Sequence, residues 1–426
     1  MNAPLPTVLP SPLPFPTSAG WHTPVPHGHP ARALLNTQAV RSRCEAVLAH
    51  VQAGESPFFR WNAAALAPTA RYVADTVRQR YPTLEVGYHS RWRHFEAGGV
   101  DRWGALCRKH GLQGAEAVRT AIDLVIPSVL LDAGAGAAWR FEDLDHRMNL
   151  VRSEGLGVAS LALFTQGALS DDETRPLRAD AAALARITPA RIAMAFQVAA
   201  HNPLVGLEGR AALLQRLGEV AAATPAVFGA PARLGHLYDY LLAHAEDGHI
   251  PAAFVLQTLL VALGPVWPGR IVVEGVSLGD TWHHPASPDG LVPFHKLTQW
   301  LSYSLLEPLE AGGLVVTGLD ALTGLPEYRN GGLLIDSGLI ALRDPALATT
   351  PLTVDRTEVV EWRALTVAAL DRIADAVRAE LDVDAARFPL ARVLEGGTWA
   401  AGRRIAAERR PGGPPPLIIE SDGTVF

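Results

Sequence analysis

Residues 291–336 read LVPFHKLTQWLSYSLLEPLEAGGLVVTGLDALTGLPEYRNGGLLID, and the fold and site predicted for this chain rest mainly on them. The stretch predicts one amphipathic helix followed by Gly-rich turns. At about 100° per residue on a helical wheel, four apolar residues share one side, namely Phe294, Leu297, Leu301 and Leu305. Four polar or aromatic residues share the opposite side, namely Lys296, Gln299, Trp300 and Tyr303.

The polar and aromatic side of this helix has two interpretations. It is either a surface helix with two half-buried rings or one wall of a cavity. Pockets lined by aromatic rings and a few convergent polar groups are the usual form of a small-molecule site. The turns after the helix add further candidate side chains, Asp320, Glu327, Tyr328, Arg329 and Asp336. We therefore expect the stretch to form the floor and one wall of a pocket, with the rest of the chain as lid and support.

The composition indicates a folded protein with a large core. The chain has 426 residues, of which 48% are hydrophobic and 19% are charged, which is enough for one large domain or two ordinary ones. The net charge is −6 and no segment carries a basic stripe, which argues against nucleic acid as a partner. The only cysteines, Cys44 and Cys107, cannot make a disulfide framework and fit a reducing cytoplasm.

Two apolar segments raise the question of targeting or membrane insertion. The first, residues 1–20, is broken by prolines and lacks a basic start, so it is not expected to be a signal peptide. The second, Ile250–Gly269, is long enough to span a membrane. Three prolines interrupt it, so we expect a buried core helix and no membrane partner.

A second cluster of charge lies in residues 87–103, GYHSRWRHFEAGGVDRW. Arg91, Arg93 and His94 stand there in a non-periodic, Gly-interrupted stretch. The planar fork of arginine suits carboxylates and phosphates, so the stretch is either an anion site or an ordinary salt-bridged loop.

A long helix is predicted over Asp355–Arg378, with Asp355 and Glu358 spaced as a capping box. Arg363 lies at the edge of its apolar stripe, beside Glu361. A guanidinium in that position needs a carboxylate or ligand partner. We expect an ion pair that orients a site carboxylate, and the alternative is an anion contact.

The common nucleotide and metal motifs are missing. There is no GxGxxG that opens a helix and no GxxxxGK[ST]. His283 and His284 have no partner at zinc-ligand spacing, so no metal site is predicted. One GxSxG match, residues 275–279, precedes a proline-containing loop rather than a helix, which favours a chance match over a nucleophile elbow. The remaining carboxylate, lysine, arginine and aromatic set suits acid–base or covalent chemistry on a polar small molecule.

Several motifs resemble the uracil-catabolism protein 4 family. They are GYHSRWRHF, RSEGLGVASL, GLVPFHKLTQWLSYSLLEPLE, LTGLPEYRNGGLLID and the terminal SDGTVF, and together they span nearly the whole chain. That family is linked to a pyrimidine degradation route in which the uracil ring is thought to open while it is attached to ribose or ribose phosphate. The resemblance implies a ribosylurea-type intermediate as the small-molecule partner.

A weaker resemblance covers about residues 203–375. The order NPLVGLEGRAALLQRLGEV, HKLTQWL, LPEYRNGGLL and EVVEWRALTVAAL is similar to the queuosine salvage proteins. Those are N-glycosidases with a mostly helical, DNA-glycosylase-like fold. The resemblance implies a mainly α fold with a few short strands, and it places the lysine and acid of the glycosidic site on Lys296 and Glu327. The arginine of that family's E-x-x-x-R helix falls on Arg363. This chain has Glu where that family has Asp, so the substrate stays open.

Together the two resemblances imply a cytoplasmic hydrolase that cleaves the N-glycosidic bond of a ribosylurea or its phosphate without a cofactor. Glu327, Lys296 and Asp320 are the expected catalytic residues. The expected substrate-binding residues are Gln299, Trp300, Tyr303, His295, Tyr328, Arg329, Asp336, Arg363, Glu361, Arg91, Arg93, His94 and Trp282, with Arg91, Arg93 and His94 assigned to the phosphate. The expected organisation is a Pro-rich arm (1–30), a helical lobe (31–202), a glycosidase-like lobe (203–385) and a C-terminal extension (386–426). The alternatives are an amidohydrolase acting on the ureido group, with or without a metal, and a non-catalytic binding protein of the pathway.

Overall fold

Helices make up most of the protein. The structure is a computed structural model that describes residue 25 and residues 28–267 and 270–420. Its α-helices follow in chain order as α1 (Thr37–Gln52), α2 (Leu66–Arg80), α3 (Trp92–Phe95), α4 (Arg102–His110), α5 (Gly114–Leu130), α6 (Arg152–Thr165), α7 (Ala181–Ala185), α8 (Pro189–Ala195), α9 (Leu207–Ala222), α10 (Pro225–Phe228), α11 (Leu237–Ala243), α12 (Ala252–Ala262), α13 (Lys296–Ala311), α14 (Tyr328–Asp336), α15 (Thr357–Leu381), α16 (Leu390–Val393) and α17 (Trp399–Arg409). The prediction of a mainly α fold with a few short strands is confirmed.

The strands are short and occur in separate pairs. They are β1 (Phe59–Trp61), β2 (Phe141–Asp143), β3 (Met148–Leu150), β4 (His249–Pro251), β5 (Val272–Val273), β6 (Val276–Ser277), β7 (Thr281–His283), β8 (Leu291–Pro293), β9 (Val315–Thr317), β10 (Ile340–Leu342), β11 (Pro351–Thr353) and β12 (Ile418–Glu420). The pairs β1–β10, β2–β3, β5–β6 and β7–β8 are antiparallel, whereas β4–β9 and β11–β12 are parallel. These ladders therefore fasten loops between helices and form no central sheet.

The buried apolar residues form one continuous cluster that runs from Val25 to Leu417. Helix α15 is at its centre and packs against α1, α2 and α14. Fully burying an aliphatic or aromatic side chain contributes roughly 1.5–3 kcal/mol, so this helix anchors its neighbours. The cluster crosses the borders expected at residues 202 and 385, and the division into lobes stays a prediction.

The start of α15 differs from its prediction. The helix begins at Thr357, and Arg356 is its N-cap without a side-chain hydrogen bond. Asp355 instead accepts a hydrogen bond from the Thr353 hydroxyl (2.6 Å), and Glu358 accepts one from Arg356 (2.5 Å). The predicted capping box is therefore wrong, because both acids are engaged by neighbours that the spacing rule does not consider.

Helix α13 is buried nearly all round, which excludes the surface-helix interpretation. Its polar and aromatic side divides into two rows, and the two residues of each row are about one helical turn apart. Gln299 and Tyr303 point into the interior and bind Thr323, whereas Lys296 and Trp300 line a cleft. A helical wheel shows such residues as one face, since the two rows differ by only about 60° at 100° per residue.

Helix α14 lies against α15 through a glycine. A β-carbon at Gly331 would lie 2.6 Å from the indole ring of Trp362. The indole nitrogen of Trp362 also donates a hydrogen bond to the carbonyl oxygen of Gly331 (3.0 Å). Only glycine allows this close approach, which fixes the position of Tyr328 and Arg329 at the start of α14.

Several predictions concern the ends of the chain and the GxSxG match. The terminal residues IIESDGTVF predict a short hairpin around Asp422 and Gly423, which lies outside the described residues together with most of the Pro-rich arm. Residues 271–274, which are rich in β-branched side chains, predict an isolated strand, whereas the structure has a hairpin of β5 and β6 with Ser277 in β6. Strand β7 follows rather than a helix, as expected for a chance match.

Candidate functional site

A cleft of about 590 Å³ lies between α6, α13, α14, α17 and the loops beside them. This volume is within the range of small-molecule sites, roughly 300–1,000 Å³. Six of the residues predicted from the sequence line it, namely His94, Lys296, Trp300, Glu327, Tyr328 and Arg329. The structure therefore brings the expected acid, amine and aromatic rings to one place.

Glu327 is the N-cap residue of α14. Its two carboxylate oxygens accept hydrogen bonds from the backbone N–H groups of Arg329 (2.7 Å) and Asn330 (2.5 Å). Burial raises the pKa of the Glu327 carboxyl, and these N–H groups and the charge of Lys296 oppose the rise. The helix start thus holds a carboxylate in a fixed orientation at the cleft.

Lys296 is the first residue of α13, and its backbone N–H donates to the carboxylate of Asp280 (3.0 Å). Burial lowers the pKa of the Lys296 amine to about 8, and the positive charge of Arg363 adds to this effect. The negative charges of Asp280 and Glu327 act in the opposite direction. The amine can therefore exchange its proton near neutral pH, unlike an exposed lysine.

Behind Lys296, Asp280 and Arg363 form a buried bidentate ion pair with both N–O distances at 2.8 Å. The indole nitrogen of Trp282 also donates to Asp280 (2.6 Å). Although burial favours the neutral acid, these donors hold the pKa of Asp280 well below its usual range. Arg363 thus belongs to an ion pair whose carboxylate orients the start of α13. Neither Arg363 nor Trp282 lines the cleft.

The floor near Trp300 is built around Arg91. Its guanidinium donates to the carboxylate of Asp132 (2.7 Å) and to the hydroxyl of Ser128 (2.7 Å), and it lies 3.1 Å from Nδ1 of His94. Burial and the charge of Arg91 lower the pKa of His94 to about 3, so the imidazole is neutral. Because Arg91 can only donate, Nδ1 accepts and Nε2 carries the hydrogen. His94 therefore offers a neutral N–H donor.

The other predicted site residues lie away from the cleft. Their contacts are as follows: Gln299 and Tyr303 bind Thr323, Arg93 pairs with Glu307 (2.5 Å) and Glu96 (3.1 Å), Asp336 with Arg410, Glu361 with Ser56 and His284, and His295 with the carbonyl oxygen of Leu34 (2.8 Å). Asp320 is exposed. Apart from Asp320, each of these polar side chains binds another part of the protein, which is the usual state of polar groups removed from solvent.

The cleft also contains residues that were not predicted, namely His89, Asp132, Arg152, Glu154, Trp399 and Arg403. Glu154 pairs with Arg403 (3.3 Å), whose guanidinium lies 4.8 Å from the ring of Trp399. The only sequence signal for Arg152 and Glu154 is a charged run, which more often marks a solvated helix face. The Glu154–Arg403 ion pair could not be predicted, because the two residues are far apart along the chain.

The chain continues from α17 along one wall of the cleft. Arg410 forms a bidentate ion pair with Asp336 (2.7 and 2.5 Å). Residues 412–415 then line the cleft, as does Ile419 of β12, the strand that pairs with β11. Gly412 and Gly413 have left-handed φ angles of 79° and 63°, which favour glycine, and three prolines follow.

The described residues offer neither a metal-binding cluster nor a membrane-spanning helix. Over these ranges, no three His, Cys, Asp or Glu side chains are grouped so that they could hold a metal ion. Within the same ranges, no helix combines the length and the apolar character needed to cross a membrane.

The fold and the cleft define a mainly α-helical protein with an acid, an amine and several arginines around one small-molecule-sized site. The chain belongs to the family described as "Protein of unknown function (DUF1688)", which matches residues 33–426. Protein urg3 of Schizosaccharomyces pombe (strain 972 / ATCC 24843) is 37% identical over 404 residues, 92% of this chain and 98% of the relative. Uracil catabolism protein 4 of Lachancea kluyveri is 36% identical over 438 residues, 93% of this chain and 99% of the relative. The resemblance to the uracil-catabolism protein 4 family is confirmed.

Proposed function

We propose that this protein is an enzyme of uracil breakdown that hydrolyses the N-glycosidic bond of a ribosylurea or ribosylurea phosphate and releases urea. The name of the Lachancea kluyveri relative supports a role in uracil breakdown. The observation that carries the proposal for the reaction is that Glu327 and Lys296 line the same cleft, whose volume suits a ribosyl ligand.

In this reaction the bond between C1 of the ribose and the ureido nitrogen breaks while water supplies a hydroxyl group to C1 and a proton to the nitrogen. Positive charge develops at C1 in an oxocarbenium-like transition state, which a carboxylate stabilises. Glu327 is assigned this role, as nucleophile or as base for water. Backbone N–H groups already hold both of its oxygens, so little reorientation is needed when the charge develops.

Lys296 is assigned to a sugar hydroxyl or to Glu327 itself. Its charge favours the ionised form of Glu327, which burial alone would disfavour. Trp300 supplies an apolar surface beside the ligand. The neutral Nε2–H of His94 suits the carbonyl oxygen of the ureido group, because both the donor and the acceptor are uncharged.

The test is to incubate the purified protein with ribosylurea and, separately, with its phosphate, and to assay urea. We expect urea from at least one of them, and we expect Glu327→Gln to lower turnover by at least about 100-fold. Glu208→Gln, the same change at an exposed position of α9, is the matched control and should retain wild-type activity.

Three results would contradict the proposal. Full turnover by Glu327→Gln would remove the assigned carboxylate. Release of ammonia in place of urea would favour hydrolysis of the ureido amide, and binding without any turnover would favour a non-catalytic protein.

A further inference from the structure

The cleft contains more positive than negative charge. The cationic side chains that line it are Arg152, Lys296, Arg329 and Arg403, and the acidic ones are Asp132, Glu154 and Glu327. Asp132 is paired with Arg91, and Glu154 is paired with Arg403. Glu327 and Lys296 interact with each other through their charges. Arg152 and Arg329 are left without a carboxylate partner among the described residues.

These two arginines line the same cleft as the Tyr328 hydroxyl. Burial raises the pKa of the Tyr328 phenol, and the positive charges of Arg329 and Arg152 both act to lower it. The guanidinium carbon of Arg329 lies 5.0 Å from the centroid of the Tyr328 ring. Two guanidinium groups from different segments, the start of α6 and the start of α14, thus lie near the same phenol at the cleft.

Arg329 is a buried cation without an acid. Its side chain is 7% exposed, and its Nη1 donates to the carbonyl oxygen of Gly413 (2.8 Å). Within the described part of the chain it forms no salt bridge with a carboxylate. Burying a guanidinium without a counterion is costly, so a structure that keeps one at a cleft has a place for an anion.

Arg152 supports this assignment independently. Its side chain is exposed at the cleft and makes no hydrogen bond among the described residues, and its backbone has a left-handed φ of 54° as the first residue of α6. Such a backbone conformation is unfavourable for a residue other than glycine and occurs disproportionately at ligand sites. The 14-residue helix α6 also directs its positive end to the cleft wall, because Arg152, Ser153 and Glu154 all line it.

We propose that Arg152, Arg329 and the Tyr328 hydroxyl form a subsite for a phosphate monoester, so that the ribosyl substrate of the proposed reaction is the phosphorylated one. All of these groups can donate hydrogen bonds, and guanidinium forks match phosphate oxygens. The subsite replaces the expected one at Arg91, Arg93 and His94. The identity of the substrate in this proposal rests on the proposed function, whereas the binding of a phosphate group does not.

The experiment compares the binding of ribose 5-phosphate, ribose and inorganic phosphate to the full chain by calorimetry. We expect wild type to bind ribose 5-phosphate at least about 10-fold more tightly than ribose. Loss of one charged hydrogen bond predicts that Arg152→Gln weakens ribose 5-phosphate by about 10- to 100-fold and leaves ribose within about 2-fold. Inorganic phosphate should compete with ribose 5-phosphate and not with ribose.

Two further variants make the result specific. Arg108→Gln removes the same charge at an exposed position that does not line the cleft and should leave all affinities unchanged. Arg329→Lys retains the charge but not the fork, and it should weaken ribose 5-phosphate less than Arg329→Gln does. Thermal unfolding of each variant checks that it is folded.

The proposal is overturned if wild type binds ribose 5-phosphate no better than ribose, if it binds neither, or if Arg152→Gln weakens both equally. These outcomes are separable from a failure of the proposed reaction. If ribosylurea and its phosphate release urea with equal kcat/KM, the phosphate subsite is wrong and the glycosidase stands. If neither releases urea but the phosphate preference is lost in Arg152→Gln, the subsite stands and the glycosidase is wrong.

Discussion

Two groups of arginines in this protein look alike in sequence and differ in their surroundings. Arg91 and Arg93 follow a Gly-Tyr-His-Ser stretch, and each is paired with an acid, Asp132 and Glu307 respectively. Arg152 and Arg329 line the cleft and have no such acid among the described residues. The comparison teaches that an arginine already paired with an internal acid is not available to an anion, whereas one at a cleft without such an acid, whether buried like Arg329 or exposed like Arg152, remains available.

The largest effect should come from breaking the pair in the first group. Arg91 is fully buried, and Arg91→Met would leave the Asp132 carboxylate without its cation and with one hydrogen-bond donor, the Ser153 hydroxyl, among the described residues. Loss of one member of a buried pair costs about 3–5 kcal/mol of unfolding free energy. Urea denaturation would measure it. Arg108→Met at an exposed pair is the control and should cost about 0–1 kcal/mol. Equal losses would mean that Arg91 is not structurally different from a surface arginine.

A second prediction concerns the scaffold under Arg329. Gly331→Ala should destabilise the protein by about 1–3 kcal/mol, because the added carbon would meet the ring of Trp362 at 2.6 Å. Gly209→Ala in α9 meets nothing within 4 Å and should stabilise by about 0.5–1 kcal/mol. Urea denaturation of both variants measures these changes in unfolding free energy. If Gly331→Ala were stabilising too, α14 would not depend on the close approach.

A third prediction uses the neighbour of Arg91. The pKa of His94 is lowered from 6.5 to about 3 in the folded protein, so between these values the unfolded chain binds one more proton than the folded one. Stability therefore rises with pH through this window and is lost on acidification below about pH 6.5. The loss from this group should reach about 1.4 kcal/mol at pH 5.5. The His94→Gln variant should show a shallower decline than wild type, and a parallel decline would refute the assignment.

The smallest effect should come from the second group of arginines. Arg152→Gln removes a side chain without internal partners, so its unfolding free energy should stay within about 0.5 kcal/mol of wild type. Urea denaturation of Arg152→Gln and Arg91→Met in the same buffer compares the two groups of arginines directly. A loss of several kcal/mol would show that Arg152 supports the fold and is not reserved for a ligand.

Much of the helical architecture could be predicted from the sequence, because amphipathic periodicity is a local property. Apolar periodicity predicts helices over 114–131 and 206–223, and the structure has helices over Gly114–Leu130 and Leu207–Ala222. The wheel of α13 likewise identified Lys296 and Trp300, which line the cleft. It also included Gln299 and Tyr303, because nothing local distinguishes a row that faces Thr323 from a row that faces a cavity.

The parts of the site that could not be predicted depend on distant partners. Arg363 finds Asp280, which is 83 residues away along the chain, and Glu154 finds Arg403 after 249 residues. No spacing rule connects such positions. The charged run around Arg152 is typical of a solvated face, and Arg152 is exposed. Only the three-dimensional arrangement shows that its guanidinium also lines a cleft, without a carboxylate partner among the described residues.

The Arg410–Asp336 ion pair has a kinetic consequence. It fastens one end of a wall segment that bends at Gly412 and Gly413 and continues as stiff proline-rich chain. Strand β12 holds the far end of this segment against β11, so the segment is fixed at both ends. The rate at which small molecules enter and leave would then depend on how often the Arg410–Asp336 ion pair opens. Because the Arg410 side chain is 27% exposed, dissolved salt can weaken the ion pair. We expect moderate salt to shorten the residence time of an uncharged sugar while leaving its equilibrium affinity nearly constant.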